Sequence, residues 1–165
     1  MEFELRPWKN DDLNDLIFAA NNFRIAQFMT DSFAHPYTRE SGEKFLAWTQ
    51  NNCPSKMLAI IVEGKAVGNV GIHPQSDILC KNAEIGYWIA EEYWGKGIMT
   101  EAIKRMIPIA FETYPITRIF GRVFGHNLPS RKVIEKAGFK LEGRFEKTIF
   151  KNGEFIDELI YAFRR

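Results

Sequence analysis

Two glycines flank a lysine where an apolar strand pattern gives way to a helical one, in EIGYWIAEEYWGKGIMTEAIKRM. A helix N-terminus exposes unpaired amides and the positive end of the helix dipole, so this succession can form an anion site. Gly95 and Gly97 allow a positive φ or a close approach of the backbone to a phosphate, and Lys96 can add charge at the rim. The spacing matches neither GxxxxGK(S/T) nor GxGxxG, which disfavours the usual nucleotide loops. Taken alone, the turn is equally compatible with a tight connection that binds no ligand.

Composition limits the class of protein that can carry this turn. The chain has 165 residues, 45% of them hydrophobic and 26% charged, with a net charge of +1. These values predict one globular domain over residues 1–165, and they provide no global field that would attract nucleic acid or an anionic membrane. The N-terminus MEFELRPWKNDD is charged where a signal peptide needs an apolar core, and no run approaches the ~20 apolar residues of a membrane span. We therefore expect a cytoplasmic protein.

The cysteines give no sign of a disulfide framework or a metal centre. Cys53 and Cys80 are the two in the chain, and neither lies in a CxxC motif or near a histidine at metal-binding spacing. We expect free thiols in a reducing compartment and no bound metal.

Hydrophobic periodicity predicts a mixed α/β or α+β domain without repeats or linkers. The first half reads as a short strand at 3–6, a helix from Leu13 with a cap among residues 10–12, a helix over about 24–29, and a helix capped by Thr38. Two strands joined by a turn at 63–65 follow, then the strand AEIGYWIA.

The second half continues with a helix from Thr100, in which Pro108 predicts a kink. The strand RIFGRVF and a helix from about Pro129 to Gly138 come next. Asn152-Gly153 between two alternating runs is a strong signal for a terminal hairpin.

The interpretation of the glycine turn as an anion site becomes stronger when three segments are taken together: EIGYWIAEEYWGKGIMTEAI, HNLPSRKVIEKAGF and the terminal hairpin. Together they resemble the GNAT N-acetyltransferases, and specifically the RimJ/RimL-like branch that acetylates protein N-termini. The resemblance covers essentially the whole chain from ELRPW onward. It implies a central, mostly antiparallel sheet of about seven strands, splayed into a V and flanked by helices.

The resemblance also implies a donor and the residues that bind it. The donor is acetyl-CoA, with its pyrophosphate held by the backbone amides from Gly95 through Thr100 and its pantetheine arm lying along two residues of the preceding strand. The implied cofactor-binding set is Trp88, Ile89, Gly95, Lys96, Gly97, Ile98, Met99, Thr100, Asn127 and Ser130.

Five positions need comparison with the family pattern. The broad pattern Gln/Arg-x-x-Gly-x-Gly/Ala has Trp94 and Met99 at its first and last places here, and Gly97 in the middle. Asn127 and Ser130 match the Asn-x-x-Ser of the branch, where the asparagine contacts the pantetheine or acceptor side and the serine lies near the sulfur. The same two residues could simply cap a helix.

Acetyl transfer to an amine needs a neutral nucleophile, a donor to the oxyanion and a proton for the thiolate. At pH 7 one lysine amine in ~2,500 is neutral, against roughly one α-amine in seven, so an N-terminal acceptor needs less help from a base. We expect Glu84 to be the base, because the branch has a matching acid, and Ser130 to be the proton donor. Ile134 stands where many members have a general-acid tyrosine, and its periodicity is that of a core residue. By analogy with the family, the Ile89 amide would donate to the oxyanion.

Other groups are weaker candidates. Tyr87 lies on the opposite strand face from Glu84, while Trp88 returns to the Glu84 face. His73 and His126 could titrate near neutrality, although scattered histidines are commonly structural. The aromatic loop TDSFAHPYT is the segment where we expect acceptor contacts.

The sequence thus predicts an acetyl-CoA-dependent N-acetyltransferase that transfers directly, most simply to the α-amine of a protein or peptide. Neither cysteine lies in the cleft motifs, which argues against an acetyl-cysteine intermediate. A small-molecule amine, such as an amino acid, a polyamine or an antibiotic, is the alternative acceptor. A CoA-binding module without turnover is a further alternative. The expected partners are acetyl-CoA and an amine acceptor such as a protein N-terminus, and the chain is expected to be a monomer or homodimer.

Overall fold

The structure, a computed structural model, describes residues 1–51 and 56–165. Cys53 lies outside the described residues, and Cys80 is an exposed free thiol. The strands are β1 (Glu4–Pro7), β2 (Met57–Val62), β3 (Lys65–Pro74), β4 (Asn82–Ile89), β5 (Arg118–Phe124), β6 (Lys140–Lys151) and β7 (Glu154–Arg164). The helices are α1 (Leu13–Ala20), α2 (Phe23–Ala26), α3 (Arg39–Gln50), α4 (Ile98–Thr113) and α5 (Leu128–Lys136).

The strands form a seven-stranded sheet in the order β1-β2-β3-β4-β5-β7-β6. The pairs β1–β2, β2–β3, β5–β7 and β6–β7 are antiparallel, whereas β4 and β5 are parallel. This confirms the predicted α+β class with a mostly antiparallel sheet. The chain divides into two compact units. Whether residues 1–165 act as one domain stays a prediction.

The first unit comprises Met1–Gly71 and Tyr87–Ile98. Every residue of β2 is buried, as expected of a continuous apolar run inside a sheet. The predicted hairpin between β2 and β3 is confirmed, since Glu63 and Gly64 have φ values of 50° and 80° that suit a tight turn.

The second unit comprises Ile72–Gly86 and Met99–Arg165. Its core contains side chains from α4, α5, β5 and β7 with almost no exposed surface, among them Ile103, Met106, Ile119, Ile134 and Tyr161. The terminal hairpin is confirmed, with φ values of 51° at Asn152 and 80° at Gly153.

Three helix predictions can be compared with the structure. Thr38 caps α3 as predicted, because its hydroxyl accepts from the amide of Ser41 at 3.2 Å. The second helix is shorter than predicted and ends at Ala26. The helix expected from Thr100 begins earlier, at Ile98, and continues past Pro108 to Thr113. The earlier start places the helix N-terminus directly after Gly97.

Candidate active site

The glycine turn has the backbone conformation that its sequence predicts. Gly95 and Gly97 have φ values of +72° and +77°, a region that residues with a side chain rarely adopt. A methyl group added at either glycine would meet no atom of the described residues within 4 Å. The turn therefore presents open backbone at the point where α4 begins.

The first turn of α4 offers amides rather than side chains. The first four amides of a helix lack acceptors within it, and α4 is long enough to carry a full dipole at Ile98. The side chains of Ile98 and Met99 are 2% and 7% exposed, so they anchor the turn from beneath. Of the predicted binding residues here, Thr100 is half-buried and Lys96 is exposed.

Lys96 rests against an aromatic ring beside the turn. Its ammonium lies 5.1 Å from the ring centroid of Tyr93. The pKa of the Tyr93 hydroxyl is raised above its ordinary value, first by desolvation and then by the nearby charges of Glu92 and Glu63. The contact with the Tyr93 ring keeps the Lys96 ammonium beside the glycine turn, where its charge is available to an anion.

Trp94, which departs from the broad family pattern, braces the turn. Its indole nitrogen donates to the carbonyl of Ile89 at 2.9 Å and so ties the turn to the end of β4. The guanidinium of Arg24 stacks on the Trp94 ring at 5.3 Å and pairs with Glu91. Asn22 also donates to Glu91, at 2.8 Å. Sequence reasoning missed this network, because its members come from distant segments.

The two predicted pantetheine residues of β4 are largely enclosed. Trp88 and Ile89 are each 7% exposed. The ring of Phe33, in the predicted acceptor loop, lies 5.8 Å from that of Trp88 and 5.3 Å from that of Tyr37. The loop therefore contacts one of the predicted cofactor-binding residues.

Asn127 and Ser130 lie at the start of α5. The Asn127 side chain accepts from the Ser130 amide at 3.2 Å, so Asn127 does cap the helix. Ile134 is fully buried, as its core interpretation predicts. A methyl group at Gly121 of β5 would come within 2.6 Å of Ile134, which shows how closely α5 packs on the strand. Position 134 therefore contributes an apolar side chain to the core and supplies no proton donor.

Glu84 is half-buried on β4 and lies in an ion-pair cluster that the sequence did not reveal. Arg122 of β5 is 3.5 Å from Glu84 and donates to Glu158 of β7 at 2.8 Å. The pKa of Arg122 is raised, first by the hydrogen bond to Glu158 and further by the charges of both glutamates, against the opposing effect of burial. The guanidinium therefore stays charged.

The register explains why the cluster forms. Strands β4 and β5 pair from Asn82 opposite Arg118 to Glu84 opposite Phe120, and β5 continues to Phe124. Glu84 thus lies in the last of these pairs, and Arg122 lies two residues beyond Phe120 on the same face of β5.

The remaining candidates lie elsewhere in the fold. His73 is half-buried on β3, facing Gly86 across the strands. His126 is exposed and lies against Phe124 with ring centroids 6.2 Å apart.

Across residues 1–51 and 56–165, no group of three His, Cys, Asp or Glu side chains could hold a metal ion. None of the helices in the described part of the chain is long and apolar enough to cross a bilayer.

Comparison with known proteins identifies the family. The model of the acetyltransferase (GNAT) domain matches residues 2–140. The chain therefore belongs to the GNAT acetyltransferase family, as its motifs predict.

Two curated relatives and one solved structure are similar to the chain. YdaF of Bacillus subtilis (strain 168) is 36% identical over 103 residues, which is 62% of this chain and 56% of YdaF. The ribosomal-protein-serine acetyltransferase of Escherichia coli (strain K12) is 31% identical over 108 residues, 66% of this chain and 60% of that protein. The chain thus spans little more than half the length of these relatives. The microcin C7 self-immunity acetyltransferase MccE, solved with acetyl-CoA and AMP, matches with a TM-score of 0.85 and 26% identity, covering 99% of this chain and 93% of MccE.

Proposed function

We propose that the protein is an acetyl-CoA-dependent N-acetyltransferase whose acceptor is the α-amine of a protein or peptide. The observation that carries the proposal is the glycine turn: two positive-φ glycines with open space around them lead directly into α4, in a member of the GNAT family. The amides from Gly95 to Thr100 fit the pyrophosphate of the donor, because they are backbone donors at the positive end of a helix dipole. Lys96 adds a positive charge beside them.

Acetyl-CoA, when bound, supplies the acetyl group as a thioester. In the proposed transfer, the neutral amine forms a bond to the carbonyl carbon, the carbon–sulfur bond breaks, and the sulfur leaves as a thiolate that takes up one proton. The Ile89 amide stabilises the transient oxyanion, and the Trp94 indole holds the carbonyl of the same residue in place.

Two side chains carry out the proton transfers in this proposal. Glu84 accepts the proton that the amine loses on attack, directly or through a water. Its pairing with Arg122 fixes the carboxylate on the strand without enclosing it, since Glu84 remains 33% exposed. Ser130 delivers a proton toward sulfur, with its backbone fixed by the Asn127 cap. A thiolate leaves readily, so a weak donor is sufficient.

An α-amine is the favoured acceptor because its basicity leaves a useful neutral fraction at pH 7. The relative from E. coli supports this choice, since its name describes a ribosomal-protein-serine acetyltransferase. The expected location of the protein is the cytoplasm, where acetyl-CoA and newly made N-termini are both present.

Release of the CoA thiol from acetyl-CoA tests the proposal with two acceptor panels. One panel contains peptides with a free N-terminus and no lysine, and the other contains polyamines, amino acids and aminoglycosides. We expect turnover with the peptides and acetylation of the α-amine by mass spectrometry. Turnover confined to small amines would show that the acceptor is a small-molecule amine and not a peptide N-terminus. Acetyl-CoA binding without turnover in either panel would favour a binding module.

A further inference from the structure

We propose that the acceptor lies along a groove of the second unit and that this groove selects an α-amine followed by a carboxylate about three residues further on. The proposal rests on the proposed transfer to an N-terminal α-amine and adds a rule of specificity to it.

The groove is formed by β4, β5, β6, β7 and the segment before β4. Its volume of about 520 Å³ lies in the range of small-ligand sites and accommodates a few residues of an extended peptide. Apolar side chains contribute to its lining, namely Leu79, Phe120, Phe145 and Ile160. Phe145 is 48% exposed and Leu79 is 54% exposed, so apolar surface is available for contact with a ligand.

One end of the groove carries an excess of negative charge. Arg122 and Glu158 line it, and Arg122 is shared between Glu158 at 2.8 Å and Glu84 at 3.5 Å. Two carboxylates therefore face one guanidinium. This end attracts a protonated amine, and Glu84, the proposed base, lies beside it through its pairing with Arg122.

The other end carries an excess of positive charge. The Glu142 carboxylate accepts two bonds from Arg118, at 2.6 and 3.0 Å, and two from Arg164, at 2.5 and 3.1 Å. Arg118 and Glu142 line the groove, and Arg118 is also fixed by a 2.9 Å bond to Asn82. Two guanidinium groups on one carboxylate leave positive charge for an incoming anion.

The two ends are set at a defined spacing by β5. Arg118 and Arg122 lie on the same strand face with Phe120 between them, and their guanidinium carbons are 4.8 and 5.5 Å from its ring centroid. The two guanidinium carbons are therefore at most ~10 Å apart. An extended peptide advances ~3.3 Å per residue, so with its amine at the negative end the fourth residue, three steps along the chain, reaches the positive end. A glutamate there matches the charge of both ends.

Peptides of one neutral sequence, with glutamate or glutamine at the second, fourth or eighth position, test the proposal. We expect glutamate at the fourth position to lower KM about fivefold against glutamine, with kcat nearly unchanged. High salt should reduce the difference, because the charges are partly exposed. Equal KM values for all peptides, or an equal benefit at the eighth position, would overturn the inference and leave the proposed function intact.

Variants of the arginines separate this groove from general surface charge. Arg118→Gln should abolish the difference between the glutamate and glutamine peptides, and Arg118→Lys should retain part of it. Arg144 makes a similar fork to Asp157, at 2.6 and 3.1 Å, and does not line the groove. Arg144→Gln should therefore keep the full difference, and its loss there would contradict the proposal. If no peptide is acetylated while small amines are, the proposed acceptor class fails, and this specificity rule fails with it.

Discussion

At the scale of single residues, Gly97 and Gly64 provide a matched pair. Both have positive φ, +77° and +80°, and a methyl group at either meets no described atom within 4 Å. Gly97 lies in the proposed pyrophosphate turn, whereas Gly64 lies in the β2–β3 hairpin. Replacement by alanine imposes the same backbone strain at both sites, about 1 kcal/mol, so any difference between the variants reports on the ligand.

We predict that Gly97→Ala weakens acetyl-CoA binding at least about tenfold, because a relaxed φ redirects the amides that hold the pyrophosphate. Gly64→Ala should lose similar stability and bind acetyl-CoA as the wild type does. Isothermal titration calorimetry measures both affinities, and denaturant unfolding measures both stabilities. Equal affinities in the two variants would argue against the turn as the phosphate site.

Glu84 is the residue on which the proposed proton transfer depends. Glu84→Gln should lower kcat by roughly 10²-fold, the contribution of a positioned general base. Its KM for acetyl-CoA should change little, because the turn supplies donor binding. Steady-state CoA release with the best peptide gives both constants.

Glu43→Gln is the control for Glu84→Gln, because Glu43 also pairs with an arginine, Arg39 at 3.5 Å, but lies on an exposed helix face. This variant should keep the wild-type kcat. A wild-type kcat in Glu84→Gln as well would assign the base to another group.

At the scale of elements, an ion pair anchors β1 to the turn before α1. The guanidinium of Arg6 donates to both carboxylate oxygens of Asp12, at 2.7 and 2.8 Å, and the Lys9 amide donates to the same carboxylate at 2.8 Å. Burial alone would raise the pKa of Asp12, but the hydrogen bonds from Arg6 and Lys9 outweigh it and the pKa is lowered. The folded state therefore favours the charged carboxylate more than the unfolded chain does.

The stability that Asp12 contributes to the folded state should depend on pH. A carboxyl whose pKa is lower in the folded state contributes stability above its unfolded value of ~3.9 and loses it as pH falls through the folded pKa. We predict that Asp12→Asn costs about 2 kcal/mol at pH 7 and that this cost shrinks below about pH 4. Denaturant unfolding at both pH values measures it. Asp11→Asn, at an exposed neighbour, should cost less than about 0.5 kcal/mol. A cost that stays constant with pH would mean that the Asp12 charge is not the source.

Elements were predictable from sequence where local chemistry determines them. The hairpin at Asn152-Gly153 and the cap at Thr38 depend on residues adjacent in the chain, and both are confirmed. The start of α4 was placed too late, because Ile98 and Met99 are apolar residues next to a glycine and carry no capping signal of their own. The glycine turn itself was predictable, since positive φ follows from residue type.

The ion-pair cluster at Glu84 could not be predicted, because it joins three strands whose register is a property of the folded sheet. The contacts of Trp94 with Arg24 and Ile89 were missed for the same reason. Spacing along the chain identifies candidate residues, but the partners of those residues come from tertiary structure.

At the scale of the whole molecule, the seven-stranded sheet is typical of the family but leaves the chemistry open, because one fold hosts many activities. The predicted donor-binding residues up to Ile98 belong to the first unit, while Glu84, Asn127 and Ser130 belong to the second.

Binding of acetyl-CoA is the interaction on which every proposed step depends, and thermal unfolding of the wild type with increasing acetyl-CoA tests it most directly. Ligand at about a hundred times its Kd stabilises the folded state by ~2.7 kcal/mol, which corresponds to a rise in Tm of roughly 5–10 °C for a chain of this size. We predict such a rise, and a smaller one in Gly97→Ala at the same concentration. An unchanged Tm at millimolar acetyl-CoA would contradict the assignment of the glycine turn and the acetyltransferase function proposed from it.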